Sequence, residues 1–334
     1  MLRSLLLALT TTAVTVLTAH RAVAEIQDIA IQFQGMVGDS SFVCGFSYTG
    51  LGTTQSTITP TDFRLYVSEV ALIAADGAIV PVQLTQDGKW QHENVALLDF
   101  ENKADVCANG TTEMNTQVVG TVPVGDYQGL QFSLGVPFAL NHEDVTLAPS
   151  PLNLTSMWWN WRGGYKFLRV DLRVADAPAS ESQHLDPSEQ HHHDGHKSDA
   201  QHEHHPHGNH NGQHQEHHDL HSGSHHANSG FLIHLGSTGC EVVGDSQQPT
   251  SCTNPNRATV TFPEFDPQHN VVITDLAALV AGNDLAANAV DTPPGCMSGA
   301  GDGDCQPLFE QLGITGESSF FRVGQYGLAP SHQH

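Results

Sequence analysis

Three of the four tryptophans of this 334-residue chain fall within four positions, as Trp158, Trp159 and Trp161 in Met157-Trp158-Trp159-Asn160-Trp161-Arg162-Gly163-Gly164-Tyr165-Lys166-Phe167. Indole is the most readily oxidised aromatic side chain, and a cluster of indoles can pass an electron hole from ring to ring. Side chains of an extended strand alternate faces, so Trp159 and Trp161 are expected to share one face and Trp158 to point the other way. The plainer alternative is a core strand anchored by its aromatics. Lys166–Leu172 reads as a second extended run, with Phe167, Arg169 and Asp171 on one face.

Histidine supplies the second kind of chemistry. Of 23 histidines, 16 lie in the low-complexity stretch 184–226, among Asp, Glu, Gln, Asn, Gly and Ser. Such a segment buries too little apolar surface to offset its ordering entropy, so it is expected to be disordered without a ligand. Imidazole binds Zn, Cu and Ni. The histidines here, among them His191, His192, His193, His204, His205, His217 and His218, are expected to give weak, exchangeable auxiliary metal sites, with zinc as an occupant beside copper. An ordinary imidazole protonates near about 6.5, so these sites should empty as pH falls below about 6.

Outside the tract and residues 1–24 the histidines are His92, His142, His234, His269, His332 and His334. His142 follows Pro137-Phe138-Ala139-Leu140-Asn141 in a loop, and His234 sits in the strand-like run Phe231–Leu235. A lone strand histidine is more often structural than a ligand. If the His142 loop and the His234 strand meet near the tryptophans, the two imidazoles become the base of a copper site.

The elements that position these residues read as β. Ile26–Phe33, Phe42–Tyr48, Phe63–Ala74, Ile79–Leu84, Val95–Phe100, Gly230–Gly236, Ala258–Phe262 and Val271–Thr274 have strand patterns, with turns at Asp76-Gly77 and Asp87-Gly88. Pro60-Thr61-Asp62 is read as a turn, and Val118–Val124 with Tyr127–Val136 as a hairpin. Asp275–Ala289 is the one expected helix of note. Short strands with frequent turn signals predict an all-β fold, an antiparallel sandwich or a barrel, with long loops. Residues 25–183 and 227–330 are expected to form one β domain interrupted by the insertion 184–226.

Residues 1–24 carry a short apolar run ending in Ala22-Val23-Ala24, a signal peptide with cleavage expected before Glu25. The mature chain is then expected to be soluble and periplasmic. The chain has 12 basic and 36 acidic residues, net −24 with His neutral. That excludes nucleic acid and anionic membrane as natural partners. Six cysteines in an exported chain suggest three disulfides. Cys240 with Cys252 and Cys296 with Cys305 are the close pairs, which leaves Cys44 and Cys107 for each other; fifteen pairings are formally open. No nucleophile elbow, zinc-protease helix, phosphate loop or haem-attachment motif is present, so no catalytic residue is expected.

Several segments together resemble the MbnP family of periplasmic copper-binding proteins. They are Gly135-Val136-Pro137-Phe138 with Asn141-His142; Ser150-Pro151-Leu152-Asn153; Met157-x-Trp159-x-Trp161 with Gly164-Tyr165-Lys166-Phe167; His234-Leu235-Gly236-Ser237-Thr238-x-Cys240; and Gly295-Cys296-Met297-Ser298. The resemblance implies an exported β-sandwich that is not an enzyme. It implies a companion, the di-haem MauG-like peroxidase MbnH, which oxidises a tryptophan to kynurenine. It implies copper held by His142 and His234 with that kynurenine, Trp159 by preference and Trp161 or Trp158 as alternatives. It also implies that the family's four cysteines correspond to Cys240, Cys252, Cys296 and Cys305. The His-rich insertion and the third indole, Trp158, depart from the family pattern. Rival readings are a zinc buffer acting through the tract, and a surface ligand-binding β module. The protein is expected to be a monomer or weak dimer.

Overall fold

The computed structural model describes residues 25–175, 230–244 and 248–326. Residues 1–24, expected to be a signal peptide, the His-rich tract with its expected auxiliary metal sites, His332 and His334 lie outside the described residues.

Two sheets face each other. The smaller runs in the order Phe321–Gln325, Asn270–Asp275, Ile26–Val37, Gln117–Pro123 and Gln83–Leu84, with Ser40–Ser41 folded back on the first strand of the chain. The larger runs Gly230–Leu235, Leu168–Ala175, Ser56–Ala74, Tyr127–Leu134 and Ala258–Phe262. Its axis is the 19-residue strand Ser56–Ala74, which also pairs with Tyr48–Leu51, Ile79–Pro81 and Val95–Asp99. Aromatic side chains interlock between the sheets: Phe33 meets Phe132 edge-on at 5.6 Å, and Phe132 meets Phe321 at 5.2 Å. One apolar core therefore holds residues from Ile31 to Phe321. The all-β sandwich is as expected, with one parallel pair, Ile26–Val37 with Asn270–Asp275, among antiparallel ones.

Five expectations about local structure fail. Phe42–Tyr48 is not a strand: the chain turns at Cys44-Gly45 between Ser40–Ser41 and the strand Tyr48–Leu51. Pro60 lies inside the long strand, next to a register shift opposite Asp171 and Leu172, a bulge position where its missing N–H costs no ladder bond. Gln117–Pro123 and Tyr127–Leu134 are not a hairpin; the chain crosses from one sheet to the other between them. Asp275 caps a helix only four residues long, Leu276–Leu279, by accepting from Ala277 N. The longer helix is Cys305–Leu312, closed by Gly313 in the left-handed conformation. The fifth failure concerns the tryptophans and is described with the site.

The two faces of the larger sheet differ in chemistry. On the inner face Phe63 packs against Phe42 and Phe100. On the outer face Asp62, Arg64 and Tyr66 are buried under the segment 138–167: Arg64 reaches Ser156, and Tyr66 reaches the Pro151 carbonyl and the Tyr165 ring. Both histidines of interest belong to this outer layer.

All three expected disulfides are present. Cys44–Cys107 and Cys296–Cys305 are buried, whereas Cys240–Cys252 joins two short paired strands and is only half-buried. No helix among the described residues is long and apolar enough to cross a membrane.

Candidate metal centre

His142 follows the four-residue helix Phe138–Asn141 and is buried. Its Nδ1 lies 3.2 Å from the carbonyl oxygen of Trp161. A carbonyl can only accept, so the proton belongs on Nδ1 and the lone pair on Nε2. Around Nε2 stand Asn141 Nδ2 at 3.2 Å and Cys252 Sγ at 3.5 Å. Phe138 packs edge-on against the ring. Burial pushes the His142 pKa below its ordinary value, against the opposing pull of the Trp161 carbonyl. The ring is therefore a neutral donor.

His234 lies in the strand Gly230–Leu235, also buried. Its Nε2 is 2.6 Å from Asp171 Oδ1, on the neighbouring strand. Burial lowers the His234 pKa, and that outweighs the attraction of Asp171. The neutral ring donates Nε2–H to the carboxylate, and the lone pair lies on Nδ1. Asp171 shows the other side of this contact. Burial alone would raise its pKa, but hydrogen bonds from His234 and Arg169 hold it down to about 2.

Asp171 is one member of a longer network. Arg169 donates to Asp171 Oδ2 from Nε at 3.0 Å and from Nη2 at 2.6 Å, and its Nε is 3.1 Å from Asp62. Arg64 forms a two-pronged pair with Asp62. His234, Arg169, Arg64 and Asp99 are directly opposite one another across four adjacent strands. The Ser156 carbonyl accepts from Lys166 Nζ and Arg169 Nη1, closing the network from above. Burial, then Arg169, brings the Lys166 pKa down to about 8. Sequence reading placed Arg169 and Asp171 on one face without giving them a role. The visible signal was the alternation of acids and bases in Asp62-x-Arg64 and Arg169-x-Asp171.

The segments that carry the two histidines meet. Asn141 Nδ2 reaches Ser237 Oγ at 3.5 Å, and Asn141 Oδ1 accepts from Tyr165 N at 2.9 Å. The His234 strand is held by Gly295–Ser298: His234 N donates to Cys296 O, and Ser298 Oγ bridges His234 O and Gly236 N. Asn141 and Ser298 are site residues that sequence reading quoted as motif and left without a function.

The tryptophans depart from expectation. The strand Trp158–Asn160 ends before Trp161, because Asn160 Oδ1 accepts from Arg162 N and Gly163 N and turns the chain. Trp161 therefore does not share a strand face with Trp159. It packs edge-on against Trp158, centroids 5.7 Å apart and planes at 88°. Trp158 Nε1 is buried without a hydrogen-bond partner among the described residues. Trp159 lies instead on Gly236: a Cβ there would stand 2.6 Å from Trp159 Cζ3 and 2.6 Å from Tyr165 O. Gly164 is required for a similar reason, with φ +71° and its open side against Asn141.

Among the described residues two sulfur-containing clusters have a metal-like spacing: His142 with Cys240 and Cys252, and Glu101 with Cys44 and Cys107. In each the cysteines are bonded to each other, so neither offers a thiolate.

A disulfide-braced β-sandwich whose outer layer holds two oriented neutral imidazoles beside an indole cluster defines a class of protein. The family model for MbnP matches residues 26–298. The solved structure of MbnP from Methylosinus trichosporium is similar, with 26% identity and a TM-score of 0.67, covering 90% of this chain and 99% of that one. No curated protein matches the sequence. The chain belongs to the MbnP family.

Proposed function

We propose that this is a periplasmic, non-catalytic copper-binding protein, soluble after removal of its leader, in which His142 and His234 hold copper for acquisition or handling. The observation that carries this reading is the matched preparation of the two rings. Metal-binding histidines ordinarily donate their second ring N–H to a carbonyl or carboxylate. His142 does so to the Trp161 carbonyl and His234 to Asp171. The donor set suits copper, which imidazole binds well in either oxidation state. Asn141 Nδ2 occupies the His142 lone pair and yields to a metal while keeping Tyr165 N.

In this reading a di-haem MbnH-like peroxidase converts one tryptophan to kynurenine, and the aryl amine and carbonyl so formed complete the site. Trp159 is favoured because its ring lies on Gly236, two residues beyond His234. Trp161 is tied to His142 through its carbonyl, and with Trp158 it supplies an edge-to-face pair for passing an electron hole inward.

The test is a peptide map and metal analysis of protein purified from its own host, with copper titration of a His142→Ala/His234→Ala variant. Kynurenine at one of the three positions and loss of the tight site are expected. Intact tryptophans, or tight binding unchanged in the double variant, overturn the proposal.

A further inference from the structure

The cysteines beside His142 carry a second reading. We infer that Cys240 and Cys252, once reduced, form with His142 a separate N/S2 metal site for a soft or borderline d10 cation, Cu(I) or Zn(II), and that the disulfide is the gate which closes it.

Geometry comes first. A ring nitrogen of His142 and the two sulfurs all lie within 4.8 Å of one another. Tetrahedral zinc with a sulfur at about 2.3 Å and a nitrogen at about 2.0 Å places these two ligands about 3.5 Å apart. His142 Nε2 and Cys252 Sγ already stand 3.5 Å apart. The Trp161 carbonyl directs the nitrogen lone pair to that side. Cys240 and Cys252 are directly opposite in the pairing of Thr238–Glu241 with Ser251–Asn254. Contacts other than the disulfide also hold these two strands: Asn254 Nδ2 to Thr238 Oγ1, Thr250 N to Glu241 O, and Ser237 Oγ to Pro255 O. Breaking the S–S bond therefore leaves both sulfurs on the His142 side. They need only separate to the roughly 3.7 Å that two thiolates span on one tetrahedral ion.

Access comes second. Cys44, Cys107, Cys296 and Cys305 are buried, and the Cys240–Cys252 pair alone is half-buried. Thiol–disulfide exchange requires an approaching thiolate, so a dithiol reductant reaches this pair first. The step balances. The dithiol gives two electrons and two protons and becomes a disulfide, and Cys240 and Cys252 become thiols. Their protons leave when the cation binds. Closure of the disulfide removes both thiolates and returns His142 Nε2 to other use. The site shares His142 with the copper proposal but needs neither copper nor a modified tryptophan.

The test uses the full mature chain with unmodified tryptophans, mildly reduced, with mass spectrometry to confirm that only Cys240 and Cys252 are free. Co(II) is the probe, because thiolate-to-cobalt charge transfer distinguishes this site from the histidine tract. One equivalent of charge-transfer absorption is expected in the reduced protein and none in the oxidised protein. His142→Ala should weaken the cobalt affinity about tenfold or more, the usual loss of a metal-site contact. Independently, Zn(II) should slow alkylation of both cysteines in the wild-type chain, a readout that needs no variant. Absence of charge transfer in confirmed reduced protein overturns the inference. So does unchanged cobalt affinity in His142→Ala, or alkylation indifferent to zinc.

Discussion

The two histidines are prepared in the same way by very different surroundings. His142 sits after one helical turn, its N–H held by a main-chain carbonyl and its unprotonated nitrogen facing Asn141 and a half-buried disulfide. His234 sits in a sheet, its N–H held by a carboxylate that two guanidinium nitrogens also hold. A carbonyl orients a ring without adding charge and is beyond the reach of side-chain mutation. A buried carboxylate orients more strongly, but it must itself be neutralised, and that need draws in Arg169, Asp62 and Arg64. The His142 side is therefore locally built and adjustable, and the His234 side is coupled to the sheet.

The largest effect expected from this difference is that of Asp171→Ala. It releases the His234 ring and leaves Arg169 with Asp62 as its one carboxylate partner among the described residues, and removing one partner of a buried ion pair costs about 3–5 kcal/mol. Urea denaturation should show a loss of this order. A loss below about 1 kcal/mol, the level of an exposed pair, would mean that the network does not act as a unit.

The network should also give the protein an uncommon pH profile. Asp171 has a folded pKa of about 2, below the ordinary aspartate value. Its contribution is complete above about 4, where an unfolded aspartate is ionised, and is lost as pH falls toward 2. Asp99, at the far end of the same row, behaves oppositely. Burial raises its pKa to about 8, with Arg64 opposing. The folded chain then holds a proton that the unfolded chain has lost, so this group reduces stability as pH rises from about 4 to about 8. Asp99→Asn keeps an acceptor for Glu101 N and removes the titration. Melting temperature against pH should decline less between pH 5 and 8 in this variant than in the wild type, while the acid limb below pH 4 stays. An unchanged slope would remove Asp99 from the network.

Sequence reading found the histidines, the indoles and the strands around them because composition and alternation mark these directly. It failed where a single local contact decides the path. Asn160 ends the tryptophan strand one residue before Trp161, and the side-chain alternation drawn through that point gave the wrong indole pair. The run from Val118 to Val136 has the pattern of a hairpin, but a crossing between sheets has the same turn residues, and only the strand partners distinguish them. Pro60 looked like a break because the bulge that accommodates it is a tertiary feature. The ion network was hidden for another reason. Its members are spread over four strands, and alternation shows that charged residues share a face without showing that the face is covered.

The smallest effect is the most direct test of the comparison, because it sets one histidine against the other. His234→Ala removes a hydrogen bond to an ionised carboxylate, and such bonds contribute about 1.5–3 kcal/mol. His142→Ala removes a bond between neutral groups, about 0.5–1.5 kcal/mol. The loop around His142 keeps other ties, Asn141 to Tyr165 N and Gln248 to the His142 carbonyl. Guanidinium melts of the two single variants, without metal, should therefore rank His234→Ala as the less stable. Equal losses would mean that Asp171 is satisfied by Arg169 alone and that His234 is as loosely coupled as His142. The reverse order would place the structural weight on the loop, and the sheet would then be only the surface on which the loop is laid.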